Sequence, residues 1–296
     1  MALADSSPLP EVMQHTRFIA YTPRSFSIVD GQVVAASASG ILADLKLLRP
    51  SFNGLVTYSS NNGLEAVSGI AHDLAYKSVI LGMWDPLSEV EIENVIAAAR
   101  RYPALIAAVV VGNEGIYTKR YQPQVVTQAM QRIKKACPTL PVTTSEPFFL
   151  YFEKDSIDFF NSHDLLMPNV HPVFEKWFDP GATNQAVEMV LEVAQKMKAN
   201  YKKPLLIKET GLPTGPERRG FSEKGQALFW TELFKRFPFS VRQSVVCFEA
   251  FDASWKPKNV ALTMPGDHGN EAFWGFFAAD GRAKPVTGAL PRLSGD

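Results

Sequence analysis

Eight short apolar, β-branched runs, separated by longer segments of helical spacing, constrain this 296-residue chain more than any other feature. The runs are Arg17–Thr22, Gly54–Tyr58, Ser78–Met83, Ile106–Val111, Pro141–Ser145, Leu165–Val170, Pro204–Lys208 and Ser244–Phe251. Helical spacing fills Leu87–Arg101, Gln124–Ala136, Asn184–Ala199 and Ser222–Phe237. Strands alternating with helices imply βαβ units and a parallel sheet. Near-continuous apolar strands imply that helices cover the sheet's outer face. Eight such units fit a closed (β/α)8 barrel, a TIM barrel, and the length suits a single barrel domain of ~250 residues. An open doubly wound sheet is the alternative, but no Gly-x-Gly-x-x-Gly follows the first run, as a dinucleotide-binding version requires.

No repeat, low-complexity tract or linker divides the chain, so residues 17–290 read as one domain behind an N-terminal extension of residues 1–16. Ala4–Pro10 offers nothing to bury and reads as a linker; the start also lacks the basic-then-apolar pattern of a secretory leader. Lys+Arg and Asp+Glu number 30 each, which argues against a nucleic-acid partner. No stretch reaches the ~20 apolar residues of a membrane span. Cys137 and Cys247 suit neither a disulfide framework nor a metal site, and read as two free, mostly buried thiols. The five histidines are scattered, without His-x-x-x-His or His-Glu-x-x-His, so no metal is expected; no cofactor is expected either. A serine nucleophile lacks its Gly-x-Ser-x-Gly elbow.

In a barrel of this type the active site lies at the C-terminal ends of the strands. Those ends carry Tyr21, Tyr58, Trp84 with Asp85, Asn113 with Glu114, Glu146, Asn169 with His171, Glu209, and finally Glu249, Asp252, Trp255 and Lys256. Carboxylates, amides and aromatic faces in one ring suit a sugar, which presents an apolar ring face and a fringe of hydroxyls. Cleaving a glycosidic bond takes two carboxyl groups, one to protonate the leaving oxygen and one to attack the anomeric carbon or activate water. The fourth and seventh strands lie nearly opposite, with backbones ~14 Å apart if neighbours are ~4.8 Å apart. Two inward glutamates, Glu114 and Glu209, then leave ~6 Å between them, which permits the pair without deciding between retention and inversion.

At these residues the chain resembles glycoside hydrolase family 17. The resemblance rests on Val110-Val-Gly-Asn-Glu114, on Leu205-Leu-Ile-Lys-Glu-Thr-Gly-Leu-Pro-Thr-Gly215 and on Asn169-Val-His-Pro172. Phe248-Glu-Ala-Phe-Asp-Ala-Ser-Trp-Lys256 and Phe273-Trp-Gly-Phe-Phe277 complete it, and it spans about Phe18 to Pro285. It implies a retaining TIM-barrel enzyme on β-1,3-glucan or gluco-oligosaccharides, with Glu114 as acid/base and Glu209 as nucleophile. It further implies that Asn113 holds the sugar 2-hydroxyl, that His171 orients Glu209, and that Lys256 touches the sugar or a cleft carboxylate. Family members act outside the cytoplasm, so a periplasmic or secreted location is implied, with this chain as a domain of a larger secreted or membrane-bound protein. A monomer without direct membrane insertion is expected. Three positions depart from the family pattern: Leu212 stands where a Trp is usual, Val56 where many members have Arg, and Ala253 where Glu is frequent.

The remaining candidates carry two readings each. Glu146 is a substrate ligand or a cap for the following helix. Glu249 and Asp252 are sugar ligands or partners for a lysine such as Lys256. Trp84, Trp177, Phe178, Trp255 and Trp274 stack on sugar or pack the interior. Lys208, next to Glu209, is expected by strand alternation to face away from the site, which disfavours a Schiff-base aldolase. Transfer to a second sugar chain is the favoured outcome, because Pro147–Phe152 and Phe174–Phe178 are aromatic-rich and the cleft lacks polar groups at Val56 and Ala253. Hydrolysis is the alternative, and a non-catalytic glucan-binding barrel a third.

Overall fold

The computed structural model describes residues 9–262 and 266–293; the first eight residues of the expected N-terminal extension lie outside the described residues. Seven parallel strands form one sheet: β1 (Phe18–Ala20), β2 (Gly54–Val56), β3 (Ser78–Met83), β4 (Ile106–Asn113), β5 (Val142–Ser145), β6 (Leu205–Ile207) and β7 (Gln243–Cys247). Their spatial order is β5-β4-β3-β2-β1-β7-β6. The expected strand at Leu165–Val170 fills the gap between β5 and β6 as an irregular segment. It bridges both neighbours through Pro147↔Asn169, Leu166↔Leu205 and Asn169↔Glu209. Pro168 has no N–H to give to a ladder, so regular strand geometry fails there while the flanking residues close the ring. The architecture is the TIM barrel.

Eight helices accompany the sheet: α1 (Leu9–His15), α2 (Ala38–Leu48), α3 (Val67–Asp73), α4 (Glu89–Arg101), α5 (Pro123–Ala136), α6 (Ile157–Asn161), α7 (Thr183–Asn200) and α8 (Glu223–Arg236). Their starts follow local chemistry. Ser37, Ser88 and Ser222 each accept the backbone N–H three residues on, satisfying one of the donors a helix start leaves free. Pro123 opens α5, where a missing N–H costs nothing. After β7 the described residues form short helical pieces, at Lys256–Ala261, Gly269–Ala272 and Pro285–Gly288.

Alternate strand residues serve two apolar layers. Ile19, Leu55, Val79, Leu81, Val109, Val111, Leu205, Ile207 and Val245 pack outward against the helices. Phe18, Ala20, Val56, Ile80, Ala108, Val110, Met167, Leu206 and Val246 fill the barrel interior. Both sides are dry, which is why the strands read as continuous apolar runs. The N-terminal extension is not slack throughout: Leu9 and Met13 of α1 are buried in the interior cluster and close the barrel floor. The linker reading missed this because it weighed Ala4–Pro10 alone and not the apolar pair one turn apart. Cys137 is half-buried and Cys247 buried, both as free thiols.

Candidate active site

The chain puckers at the end of β4, where the register with β5 breaks between Val110 and Asn113. Gly112 has φ +81° and Glu114 itself φ +52°, a left-handed backbone that a glutamate adopts only when its surroundings impose it. The Glu114 N–H is tied to the Ser145 carbonyl at 2.8 Å. Tyr121 fixes the pucker from behind, since a Cβ on Gly112 would lie 1.9 Å from its hydroxyl.

Across the ring, Glu209 stands two residues past Ile207, the last ladder residue of β6, and Val170 donates its N–H to the Glu209 carbonyl at 2.7 Å. Its Oε1 accepts from Tyr58 Oη at 2.9 Å and Lys208 Nζ at 2.8 Å, and its Oε2 lies 3.2 Å from His171 Nε2. Glu114 Oε1 accepts from Asn169 Nδ2 at 2.8 Å, and Ser145 Oγ donates to Asn169 Oδ1 at 2.9 Å. Asn113 Oδ1 receives Lys208 Nζ at 2.8 Å and Asn169 Nδ2 at 3.2 Å. The two halves of the site are therefore wired together through Asn113, Asn169 and Lys208. Glu114, His171 and Glu209 each present an atom within 4.8 Å of the other two. Those three donors satisfy the distances of a cation site, but Lys208 already supplies a positive charge to Glu209 from within the protein.

The two carboxyls are pushed apart electrostatically. Burial, reinforced by the negative Glu209, raises the Glu114 pKa, with Asn169, His171 and Lys208 opposing. Burial also works to raise Glu209, but the Lys208 ammonium and the His171 ring outweigh it and hold Glu209 far below the usual carboxylate range. Burial lowers His171, yet its contact with Glu209 carries it above the ordinary histidine value. The site favours the proton on Glu114 and the charge on Glu209, the direction of tuning that a division into acid and nucleophile requires.

The expected site residues separate into groups. Tyr58, Asn113, Glu114, Asn169, His171 and Glu209 meet in the cluster just described. Glu249 is 1% exposed and pairs with Lys256 beside it; burial pushes it up to about 7 against the pull of that lysine. Trp84, 45% exposed, stands on the rim with the Arg120 guanidinium 4.2 Å from its ring centroid. Trp177 is exposed beside Phe178, which stacks on Phe221, while Trp255 packs edge-on against Phe26. Trp274 is buried as a wedge behind His171 and Phe248. Of the departures, Val56 fills the interior core and Leu212 the outer one.

Three expected ligands are withheld from the cleft. Tyr21 is wholly buried in the outer layer and gives its hydroxyl to Asp44 on α2 at 3.1 Å. Its place in the Ile19 series, rather than the Ala20 series, sends it outward. Glu146 neither reaches a ligand nor caps the following helix: fully buried, it takes the N–H groups of Ile116 at 3.0 Å and Tyr117 at 3.1 Å, holding the loop after Glu114. Burial raises it to about 7 despite those bonds. Asp252 pairs with Lys284 at 2.7 Å and accepts the Gly275 N–H at 2.9 Å.

Lys208 is the residue most misjudged by sequence. It does not face away from the site; it is 1% exposed and lies between Glu209 and Asn113, its ammonium 4.0 Å from the Tyr58 ring centroid. Alternation holds, but Lys208 is the member that continues the inward series of Leu206. Glu209 lies past the β6–β7 ladder, bridged to Asn169, and its carboxyl meets the Lys208 ammonium at the mouth. Glu271, half-buried and electrostatically linked to Lys256, His171 and Glu209, was also missed, because its approach depends on the long loop after β7.

Glu91 is a third residue with no sequence signal beyond its place three residues after Ser88. It is 3% exposed and accepts from Ser59 Oγ at 2.6 Å and the N–H groups of Ser60, Trp84 and Asp85 at 2.8, 3.0 and 2.9 Å. It ties the rim loops after β2 and β3 together. Glu91→Ala leaves several buried donors unsatisfied, each of order 1–3 kcal/mol, so denaturant unfolding is expected to show a loss of about 2–4 kcal/mol. A loss below about 1 kcal/mol would show that water replaces the carboxylate without strain.

A barrel presenting two opposed, oppositely tuned carboxyls at its C-terminal mouth has the form of a glycoside hydrolase. The sequence profile of the BtgE/BtgC glycoside hydrolase domain matches residues 19–275, and the chain belongs to that family. A glucan 1,3-β-glucosidase of Arthroderma benhamiae is 25% identical over 232 residues, 70% of either chain. Among solved structures, an active-site mutant of the Rhizomucor miehei β-1,3-glucanosyltransferase in complex with laminaritriose superposes with a TM-score of 0.66 at 19% identity, covering 96% of this chain and 100% of its own. An endo-laminarinase from Formosa gives a TM-score of 0.68 at 19% identity, over 94% and 89% of the two chains. These structural likenesses establish the fold; a second structure of the Rhizomucor enzyme, with a TM-score of 0.67, is described as glycoside hydrolase family 17, the family the motifs resemble.

Proposed function

We propose that the chain is a retaining β-1,3-glucan-active enzyme that works through a covalent glucosyl-enzyme. Glu209 attacks the anomeric carbon while Glu114 protonates the departing oxygen; Glu114 then removes a proton from the acceptor as the Glu209–sugar bond breaks. The observation that carries the reading is the approach of the Glu114 and Glu209 oxygens to within 4.8 Å, with their pKa values pushed in opposite directions. Retaining pairs sit about 5–5.5 Å apart and inverting pairs about 6.5–9.5 Å, and the short approach supports the retaining reading. The names of the Arthroderma, Rhizomucor and Formosa proteins support β-1,3-linked glucan as the substrate. A non-catalytic glucan-binding barrel would gain nothing from this tuned pair.

Transfer to a second sugar chain is the outcome we favour over hydrolysis. Tyr117 and Phe149, both about two-fifths exposed, meet edge-to-face at 5.4 Å between centroids on loops flanking Glu114, where a leaving or incoming sugar stacks. The test is a product profile: a defined β-1,3-gluco-oligosaccharide is incubated with the protein in labelled water and products are followed by mass spectrometry. Products longer than the substrate, or cyclic ones, support transfer; only shorter products carrying one heavy oxygen would assign a hydrolase. Phe149→Ala is expected to lower the transfer-to-hydrolysis ratio by about tenfold, equivalent to about 1.4 kcal/mol of stacking on the acceptor. An unchanged ratio would remove the aromatic pair from the acceptor site. We further propose that the enzyme works outside the cytoplasm as a monomer. No helix among the described residues is long and apolar enough to cross a membrane.

A further inference from the structure

Glu209 is paired with the ammonium of the residue immediately before it in the chain, Lys208. Lys208 is 1% exposed, so its ammonium is shut off from bulk water. Its partners are Glu209 Oε1 and Asn113 Oδ1, both at 2.8 Å, with the Tyr58 ring face 4.0 Å from the ammonium. Burying an ammonium is costly unless it is paired, and this one is paired to the group that the reaction uses. The groups that face the Glu209 carboxyl are Lys208, His171, Tyr58 and Glu114, with Glu249, Lys256 and Glu271 further out. Of the cations in that set, Lys256 is committed to Glu249.

We propose that Lys208 is a positioning residue that keeps Glu209 a carboxylate before attack and stabilises it again as a leaving group when the glucosyl-enzyme breaks down. The inference rests on the retaining reading above and goes beyond it by assigning a role in the second step. In the first step the Glu209 oxygen bonds to the anomeric carbon, the bond to the leaving oxygen breaks, and the Glu114 proton moves to that oxygen. In the second, an acceptor hydroxyl or water oxygen bonds to the same carbon and gives its proton to Glu114. The bond to Glu209 breaks, and its electron pair returns to a carboxylate facing the Lys208 ammonium. That ammonium is unmatched by charge only while the sugar ester exists, so it favours both the start and the end of the cycle over the intermediate. Through Asn113 it also fixes the amide next to the acid/base. A merely structural lysine, anchoring strand to rim, would do neither.

The experiment uses the full chain with Lys208→Met and Lys208→Gln; the amide of the second keeps polar contact with Asn113 and Glu209 without the charge, so a packing defect in the first does not decide the matter. Near-UV circular dichroism checks the fold. kcat/KM is measured against pH on a β-1,3-gluco-oligosaccharide, and rapid quench with intact-protein mass spectrometry follows the glucosyl-enzyme formed from an activated aryl β-1,3-glucoside. Both variants are expected to move the acidic limb upward by about one to three pH units, the effect of losing an adjacent opposite charge. Both are also expected to accumulate glucosyl-enzyme to a steady-state fraction about tenfold or more above that of the parent protein, as loss of a charged hydrogen-bond partner slows breakdown. A folded Lys208→Gln with an unmoved acidic limb and no accumulation would overturn the proposal. The parent reading is tested separately, by labelling the unaltered protein with a 2-deoxy-2-fluoro-glucosyl donor. An adduct on Glu209 with an unmoved limb sinks only the role of Lys208, whereas no adduct on Glu209 sinks the retaining assignment itself.

Discussion

Glu209→Ala is expected to abolish turnover, and added azide is expected to restore it with the opposite stereochemistry to that of the rescued Glu114→Ala. Deleting a nucleophile costs roughly 10⁵-fold or more, and deleting a general acid about 10²–10⁴-fold, less for substrates whose leaving group needs no proton. Azide entering the space vacated by Glu209 attacks the anomeric carbon of a β-linked donor directly and gives the α-azide. In Glu114→Ala the glucosyl-enzyme still forms on Glu209, and azide attacks it from the other face to give the β-azide. The pH profile carries the same assignment. Glu114 must hold a proton and Glu209 must not, so the rate falls as Glu209 protonates in strong acid and as Glu114 ionises on the alkaline side. Burial and the charge of Glu209 raise the Glu114 pKa, so the alkaline limb lies above the ordinary carboxylate range. Glu209→Gln removes that charge and lowers the Glu114 pKa, visible by carbon NMR of the labelled carboxyl. Turnover within tenfold of the parent in either alanine variant, or the same azide anomer from both, would refute the assignment.

The ring of strands and the meeting of Glu114 with Glu209 at its mouth were legible because both follow from short-range pattern. Apolar runs alternating with helical spacing give the barrel, and Glu114 and Glu209 stand just beyond two of those runs. Direction within the ring was less legible, although the information was partly present. Ile19 and Tyr21 share one side of β1, so Tyr21 belongs to the layer under the helices where Asp44 receives its hydroxyl. Leu206 and Lys208 share the other, which brings Lys208 to Glu209. The Tyr21 error came from treating every residue at a strand end as facing the mouth, and the Lys208 error from giving the inward place to Glu209 and letting alternation turn Lys208 away. The pairing of Asp252 with Lys284, and of Glu146 with the loop holding Ile116 and Tyr117, was not legible. These contacts join segments about thirty residues apart through loops whose paths no periodicity fixes. The irregular closure at Pro168 falls between the two cases: the proline announces that a donor is missing, but only the neighbouring bridges show that the ring closes around it.

Asn113→Ala is expected to lower kcat/KM by about 10²–10³-fold, nearly all of it in kcat, on the scale of removing one pre-organised donor at the reacting centre. The orientation of the amide follows from its partners. Lys208 Nζ only donates, so the Asn113 atom 2.8 Å from it is the carbonyl oxygen, and that oxygen also takes the Asn169 N–H at 3.2 Å. With the oxygen committed to two donors, the amide nitrogen would be the group that binds the sugar. It sits one residue before Glu114, opposite Glu209, where the 2-hydroxyl of the sugar being cleaved would lie. A hydrogen bond there strengthens as positive charge develops at the anomeric carbon, which places its loss in kcat and not in KM. The check is a cycle: the parent protein and Asn113→Ala, each with a donor bearing the 2-hydroxyl and with its 2-deoxy counterpart. If the amide acts through that hydroxyl, the 2-deoxy donor loses most of the penalty of the mutation. If Asn113 matters only as a bridge between Lys208 and Asn169, the penalty is the same for both donors, and the acidic and alkaline limbs shift together instead.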